Sequence, residues 1–207
     1  MGHLTLVRHG QASFHAERYD ALSPLGHRQA RRLGDYWVSQ GIGFDTVWVG
    51  PRLRHRETLA AVAEAYAESG LSWPLPQELP TLDEHDGLRV MRHVLGDVRT
   101  AAAGEMTDSH DIVRYFFLRY RQIMVDWATG QLNIPDVESW QTFRSRAASA
   151  LASLCTMPGR TVAFTSGGLI SAVVGELLAL DHHRVIDLST VVQNAALTEI
   201  RYRPGEY

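Results

Sequence analysis

The sequence has one cysteine, no long apolar run and a formal net charge of only −3. A lone Cys155 cannot form an intrachain disulfide, and its position in an apolar stretch predicts core packing in a reducing compartment. No run approaches the roughly 20 apolar residues of a membrane span, and the N-terminus lacks a signal-peptide pattern. The small net charge gives no bulk attraction to nucleic acid or anionic lipid. We therefore expect a soluble, cytoplasmic protein with no nucleic-acid or membrane partner.

Metal and nucleotide signatures are also missing from the sequence. No His, Cys and Asp residues stand at convincing ligand spacing, and Asp181-His182-His183 is interpreted as a loop at a helix end. No glycine-rich nucleotide fingerprint and no aromatic platform on a basic groove is found. We expect no metal ion and no cofactor.

What the sequence does contain is the alternation of an α/β protein. Apolar, β-favouring runs lie at residues 4–7, 44–49 and 161–165, and a closing edge strand is predicted at 197–202. Helical patterns begin at the Ser23-Pro24 cap and at Arg52, and a buried helix over 169–180 follows a turn at 166–168. This order predicts a three-layer sandwich with a mostly parallel central sheet flanked by helices.

Residues 87–135 are predicted to form a helical insertion, or cap, within a single domain of residues 1–207. Its main feature is an amphipathic helix over 108–128, whose apolar positions include Leu118, Ile123 and Trp127. The arginines of this helix, Arg114, Arg119 and Arg121, are interpreted as a solvated face. A further helix is predicted over 137–157, and we expect the insertion to lie over the active site and to set substrate identity.

Functional residue types follow three of the predicted strands: Arg8-His9-Gly10, residues 52–56, and Ser166-Gly167-Gly168. The carboxyl ends of neighbouring parallel strands converge in space, so these segments are expected to line one pocket. Arginine presents a fork of donors suited to phosphate, and histidine can act as nucleophile or proton carrier near neutrality. The constellation predicts a phosphate site.

Five motifs occur in order, with Asn194 shortly before the closing strand: Leu6-Val7-Arg8-His9-Gly10-Gln11, Ser23-Pro24-Leu25-Gly26 with Gln29-Ala30, residues 51–58, Leu82-Asp83-Glu84, and residues 164–170. Together they resemble the histidine phosphatase superfamily, which includes the cofactor-dependent phosphoglycerate mutases. The resemblance covers most of the chain, and five ordered matches are far more specific than one short motif.

The resemblance implies that His9 is the nucleophile and forms a phosphohistidine. A neutral imidazole, with an ordinary pKa near roughly 6.5, is available for attack at neutral pH. Arg8 and Arg54 would clamp the phosphoryl oxygens and offset charge in the transition state. Glu84 is the candidate group for moving the proton of the leaving alkoxide and later of water, and Asp83 is the alternative.

The main departure from the family pattern is Ser166, which stands where a second, phosphate-donating histidine is expected. Serine can donate a hydrogen bond but carries no charge, and losing one donor at such a site can cost on the order of 10²-fold in rate. His55 and His85 adjoin two of the motifs. These two histidines either reach into the pocket in place of the expected second histidine, or lie at the surface or behind the pocket. We favour the second alternative.

Several other residues near the motifs have two open interpretations. Gln11 and Ser13 either contact a substrate phosphate or are simple loop residues, and Gly167 is a candidate phosphate contact in the glycine turn. Arg52, where the family usually has an apolar residue, is a third cation near the pocket or, as we favour, a solvated residue at the helix start. Gly50 replaces a small hydroxyl residue.

Three functions are compatible with these motifs. The favoured one is a metal-independent phosphatase that hydrolyses a phosphomonoester, on a small molecule or a phosphoprotein, through phospho-His9. The others are a phosphoglycerate mutase and a catalytically weak module that binds phosphorylated ligands. Retention of both Arg8 and His9 beside Glu84 favours the enzyme, since binding alone would require only the arginines. The oligomeric state is left open.

Overall fold

The computed structural model describes residues 1–13, 20–96, 109–156 and 158–203, with the backbone alone for 109–117. Its centre is a five-stranded sheet in the order β3-β2-β4-β1-β5. The strands are β1 Gly2–Arg8, β2 Thr46–Val49, β3 Gln77–Glu78, β4 Gly159–Thr165 and β5 Leu197–Tyr202. All neighbours pair in parallel except β5, which runs antiparallel to β1 at the sheet edge. The predicted α/β class and edge strand are confirmed.

Seven α-helices lie within the described ranges: α1 Pro24–Ser39, α2 Leu53–Glu68, α3 Gly87–Leu95, α4 Ser109–Ala128, α5 Trp140–Leu154, α6 Gly167–Leu177 and α7 His182–Val191. A 3-10 turn covers Pro80–Leu82. The start of α1 is as predicted, because the Ser23 hydroxyl accepts a hydrogen bond from the Gly26 amide and Pro24 occupies the first helical position. None of these helices combines the length and the apolar character that crossing a membrane requires.

Alternation along the strands separates two hydrophobic cores. Val7 and Phe164 point to one face, where they pack with side chains of α1 and α2. Leu4, Leu6 and Ala163 point to the opposite face, where α3 to α7 supply the partners. Successive strand residues face opposite sides of a sheet, so this alternation produces the predicted three layers.

Two local predictions at helix starts are wrong. Ser166-Gly167-Gly168 is not a turn between elements, because Ser166 is the extended N-cap residue and α6 begins at Gly167. Asp181-His182-His183 is not a trailing loop, because the Asp181 carboxylate accepts a hydrogen bond from the Arg184 amide and opens α7. Short polar residues suit turns and N-caps alike, so composition alone does not separate the two.

The ends of the other predicted helices shift by a few residues. The helix predicted over 137–157 runs from Trp140 to Leu154, after an N-cap at Ser139. Its predicted last residue, Met157, lies outside the described residues, as does Asp108 at the start of the predicted amphipathic helix. Cys155 caps α5 and is buried in the core, as predicted.

The amphipathic pattern of α4 holds for part of the helix. Ile123 and Trp127 are buried, but Leu118 is 54% exposed, so its predicted membership of the same apolar face is wrong. Leu118 precedes Trp127 by nine positions, which at about 100° per residue puts the two on opposite sides of the helix. Arg121 is not freely solvated either, since its Nε donates to Asp187 at 2.5 Å, whereas the side chain of Arg114 lies outside the described residues.

Candidate active site

The carboxyl ends of β1, β2 and β4 bring three of the sequence motifs together. The amide of His9, just after β1, donates to the carbonyl of Thr165 in β4 at 2.9 Å. The amide of Gly50, just after β2, donates to Phe164 on the other side of β4 at 2.9 Å. Arg54 in the first turn of α2 then lies within hydrogen-bond distance of both His9 and Ser166. The predicted convergence therefore occurs.

The backbone orients the imidazole of His9, which is only 7% exposed. Its Nδ1 lies 2.6 Å from the carbonyl oxygen of Gly10. Because a carbonyl can only accept, Nδ1 must carry the proton, and Nε2 keeps its lone pair. Burial, followed by the Arg54 guanidinium, lowers the pKa of His9 to about 4. The imidazole is therefore neutral at pH 7, with Nε2 facing Arg54 Nε at 3.2 Å.

The Gly10 segment is held against two helices. Its amide donates to Thr58 Oγ1 at 3.0 Å, and the same hydroxyl donates to the Arg54 carbonyl at 2.7 Å. A β-carbon at Gly10 would lie 2.4 Å from the Gly26 carbonyl oxygen at the start of α1, so only glycine fits. Asn194 adds a side-chain hydrogen bond to the His9 carbonyl at 3.1 Å.

The Arg54 guanidinium joins three groups although its residue is only 8% exposed. Nε donates to His9 Nε2, Nη1 donates to Asp20 at 2.5 Å, and Nη2 approaches Ser166 Oγ at 3.4 Å. Asp20 also accepts from the Leu53 amide at 2.7 Å, which ties the carboxylate to the start of α2. Asp20 was missed in the sequence, because it lies in a polar, irregular segment with no recognisable motif.

The Arg8 guanidinium lies at the N-terminus of α6. Nη1 donates to the Val192 carbonyl, whereas the buried Nε finds no hydrogen-bond partner among the described residues. A β-carbon at Gly167 would lie 3.3 Å from this Nε. Burial lowers the pKa of Arg8, with the Glu84 carboxylate acting in the opposite direction, but an arginine still stays charged in a protein. An unsatisfied cationic donor beside a helix N-terminus is suited to an anion.

The Glu84 carboxylate is tied to the same helix start. Oε2 accepts from the Gly168 amide at 2.9 Å, and Oε1 accepts from His85 Nδ1 at 2.7 Å. Burial works to raise the pKa of Glu84, but His85, the Gly168 amide and Arg54 together hold it well below its usual range. The carboxylate is therefore ionised in the free protein and close to both arginines of the site.

Asp83 is oriented toward a different partner. Its Oδ1 accepts from Arg52 Nε at 2.5 Å, and Arg52 Nη2 reaches the Glu84 carbonyl at 3.3 Å. Our preferred interpretation of Arg52 as a solvated residue is wrong, because the ion pair holds it over the acid segment. Arg146 of α5, which the sequence analysis missed, donates to the carbonyls of Thr81 and Asp83 at 3.1 and 2.6 Å.

The two histidines next to the motifs are buried and not surface residues. His55 is 0% exposed, and its Nε2 lies 2.6 Å from Ser166 Oγ. His85 is 8% exposed and its ring lies 5.4 Å from that of Trp127 and 5.2 Å from that of Phe143. The interpretation of these histidines as surface residues is wrong, because His55 points toward Ser166 at the end of β4 and His85 packs against aromatic rings of α4 and α5.

The side chains of Gln11 and Ser13 anchor the loop after β1. Gln11 Oε1 accepts from the Ser23 hydroxyl at 2.8 Å, while the backbone N–H of Gln11 donates to Gln29 Oε1 at 2.8 Å. Ser13 Oγ donates to the Leu22 carbonyl at 3.1 Å. These contacts give both residues a structural role, and a contact of either with phosphate stays a prediction.

Within the described ranges, no three His, Cys, Asp or Glu side chains are arranged as metal ligands. The positive charge at the pocket is supplied by Arg8 and Arg54, and the proton-carrying groups nearby are His9 and Glu84. A neutral imidazole beside two guanidinium groups and a carboxylate is an arrangement suited to phosphoryl transfer.

A sequence profile of the histidine phosphatase superfamily (branch 1) matches residues 4–91 and 97–207. The chain therefore belongs to the histidine phosphatase superfamily, as the motifs indicated. Comparison with curated proteins found no significant match.

Solved structures share the fold over almost the whole chain. A mutant phosphoserine phosphatase from Entamoeba histolytica in complex with phosphoserine is 16% identical with a TM-score of 0.66, covering 100% of this chain and 93% of its own. Mycobacterial glucosyl-3-phosphoglycerate phosphatase is 20% identical with a TM-score of 0.63, covering 98% and 91%. Mycobacterial hydrolase 1 is 21% identical with a TM-score of 0.62, covering 100% and 92%. At these identities the similarity shows the fold alone.

Proposed function

We propose that this protein is a metal-independent phosphatase that hydrolyses a phosphomonoester through a phosphohistidine formed on His9. The observation that carries the proposal is the orientation of His9: Nδ1 donates to the Gly10 carbonyl, which leaves the Nε2 lone pair facing Arg54. Membership of the superfamily and structural neighbours that include phosphatases support the same reaction class.

In the first step, His9 Nε2 attacks phosphorus, the N–P bond forms and the P–O bond to the leaving group breaks. Arg54 lies beside the attacking atom and Arg8 offers its unsatisfied Nε, so both cations offset charge on the phosphoryl oxygens. The leaving alkoxide needs a proton, and the Glu84 carboxylate is ionised in the free protein. A bound phosphoryl anion raises the proton affinity of this carboxylate, so Glu84 takes up one proton from solvent when the substrate binds and then donates that proton to the leaving alkoxide.

In the second step, water attacks phospho-His9 and the N–P bond breaks, which releases inorganic phosphate. Glu84 accepts the proton that the water loses and so returns to the protonated state in which it began the first step, and it releases this proton to solvent when phosphate leaves. Glu84 is a better candidate than Asp83, because its carboxylate contacts the Gly168 amide at the start of α6 and interacts with Arg8 and Arg54, whereas the Asp83 carboxylate is paired with Arg52.

The test is a phosphatase assay with a generic aryl phosphate, combined with trapping of an acid-labile phosphoenzyme. Wild type should turn over and trap phosphate, while His9→Ala should do neither. His183→Ala is the control, because His183 is an exposed histidine of α7. Equal activity in wild type and His9→Ala would overturn the proposal. A panel of phosphorylated metabolites and phosphopeptides, with His9→Ala as the blank, then addresses the substrate, which the 87–135 segment is expected to select.

A phospho-ligand binding module is the second candidate, favoured by one observation. Position 166 holds a serine where the resemblance predicts a second histidine, and a serine there would leave the pocket with one charged donor fewer. If the protein only binds, phosphate or vanadate should raise Tm while turnover stays absent at high protein concentration. Interconversion of phosphoglycerates would instead indicate a mutase.

A further inference from the structure

We propose that His55 is a positioning residue that directs the hydroxyl proton of Ser166 toward a phosphoryl oxygen, so that the two residues together replace the missing second histidine. The inference rests on the proposed function and assigns a role to two residues that the phosphohistidine chemistry does not itself require. It starts from the contact of 2.6 Å between His55 Nε2 and Ser166 Oγ, with both residues 0% exposed.

The unpaired nitrogen of His55 decides which way this hydrogen bond runs. Nδ1 is buried and has no hydrogen-bond partner in the described part of the chain. If Nδ1 carried the proton, a buried N–H donor would be unsatisfied, which is more costly than a buried lone pair without a donor. The proton therefore lies on Nε2, and His55 donates to Ser166.

The Ser166 hydroxyl oxygen is then fully used as an acceptor, and the hydroxyl proton remains available for donation. Ser166 Oγ accepts from His55 and is approached by Arg54 Nη2 at 3.4 Å, so both of its lone-pair directions are used. It makes no capping hydrogen bond to its own helix, and the Gly168 amide is taken by Glu84. The free hydroxyl proton needs an acceptor.

A phosphoryl oxygen on His9 is suitably placed to be that acceptor. Arg54 contacts His9 Nε2 with Nε and Ser166 Oγ with Nη2, so the two residues lie on the same guanidinium. A phosphoryl group bonded to Nε2 would enter the space that this guanidinium borders. Ser166 would then add one neutral donor to the cationic donors of Arg54 and Arg8.

Gly50 provides the space that His55 occupies. A β-carbon at position 50 would lie 2.3 Å from His55 Nδ1 and 2.9 Å from the Leu82 carbonyl oxygen. The imidazole could not keep its present place with any larger residue there. Gly50, His55 and Ser166 therefore form one coupled set, in which the small residue at 50 allows the imidazole to stand behind the serine.

The imidazole of His55 acts in its neutral form. Burial, followed by the neighbouring Arg54 guanidinium, lowers the pKa of His55 well below its usual value. The pair thus donates a hydrogen bond to the phosphoryl group without adding charge.

The test compares His55→Gln with His55→Asn, alone and with Ser166→Ala. Glutamine can place an amide N–H near the position of Nε2, whereas asparagine is one methylene too short. We expect Ser166→Ala and His55→Asn each to lower kcat/KM by on the order of 10²-fold and to weaken orthovanadate binding, with His55→Gln close to wild type. His55→Asn should have no further effect in the Ser166→Ala background. His183→Asn is the control for an exposed histidine of α7.

Equal effects of His55→Asn in the wild-type and Ser166→Ala backgrounds would overturn the inference, as would a fall in Tm with no change in kcat/KM or vanadate affinity. If His55→Asn does not fold, the inference is overturned when Ser166→Ala keeps the kcat/KM and the vanadate affinity of wild type. Failure of the proposed function is separate, because it would appear as turnover that survives His9→Ala. If no variant turns over, vanadate affinity alone decides whether the pair contacts the oxyanion.

Discussion

Replacing Arg54 with methionine should raise the pKa of His9, because Arg54 is the charged group that most disfavours the imidazolium. Arg54 Nε lies 3.2 Å from His9 Nε2, and the pKa of His9 is lowered to about 4 by burial first and by Arg54 second. In Arg54→Met the burial remains and the nearest cation is lost. The pKa should therefore rise from about 4 but stay below its ordinary value near 6.5.

The size of the wild-type shift makes the effect measurable. At pH 5.5 a histidine with a pKa of about 4 is about 97% neutral, whereas one with an ordinary pKa of 6.5 is only about 9% neutral. The supply of nucleophile at that pH therefore differs by about tenfold between the two cases. Protonation of His9 should therefore cause almost no loss of wild-type activity at pH 5.5.

The assay is an NMR titration of the imidazole Cε1 protons between about pH 3.5 and pH 8. The chain has ten histidines, so His9 is assigned by the signal that disappears in His9→Gln. The kcat/KM of wild type is also divided by the kcat/KM of Arg54→Met at each pH of the same range. The pH dependence that arises from ionisation of the substrate is the same for both proteins and cancels in this ratio. A wild-type midpoint near 6.5, or a midpoint that Arg54→Met leaves unchanged, would refute the reasoning.

The same shift has a consequence for stability. Above pH 6.5 His9 is neutral in the folded and unfolded chains, so it contributes no pH dependence. As pH falls from 6.5 to about 4, the unfolded chain binds a proton that the folded chain does not, and the free energy of unfolding drops by up to about 3 kcal/mol. Urea unfolding at pH 7 and pH 4.5 should show this loss, and Arg54→Met should show a smaller one.

Three further predictions concern the residues around the pocket. Glu84→Gln should lower kcat by on the order of 10² to 10⁴-fold for alkyl phosphates and less for aryl phosphates, whereas Asp83→Asn should leave this leaving-group dependence unchanged; equal effects of the two would contradict the assignment of Glu84. Gly50→Ala should lower stability by about 1 to 3 kcal/mol, seen as a reduced Tm, because the β-carbon meets His55; an unchanged Tm would show that the site yields. Thr58→Val should cost about 1 to 3 kcal/mol in urea unfolding, since the Gly10 amide loses its acceptor; a loss below measurement error would mean that the loop repairs the contact.

The layers of the fold were predictable from local patterns. β1 and β4 contain mostly apolar runs, and the pleat of a strand places Leu6 on one face and Val7 on the other, where the two side chains enter different cores. The Ser23-Pro24 start of α1 was also predictable, because capping is a short-range interaction. The starts of α6 and α7 were not, since a polar cap and a polar turn have the same composition.

The site was predictable in its main groups and not in its supporting contacts. Arg8 ends β1, His9 follows it, and Arg54 lies shortly after β2. The carboxyl ends of these parallel strands lie at one edge of the sheet, so the proximity of the three residues follows from chain order. Asp20 and Arg146 contact the site across long sequence separations, and no local pattern marks them. The burial of His55 depends on which face of α2 meets the sheet and on the space at Gly50.

The sequence by itself determined the superfamily, the α/β class and the group of charged residues at one edge of the sheet. These properties depend on residue type and order, which translate directly into strand and helix periodicity. Only the tertiary structure decided that His9 Nε2 keeps its lone pair, that Asp83 is held by Arg52, and that His55 stands behind Ser166. Those properties depend on the direction and burial of individual side chains, which arise when distant segments pack against each other.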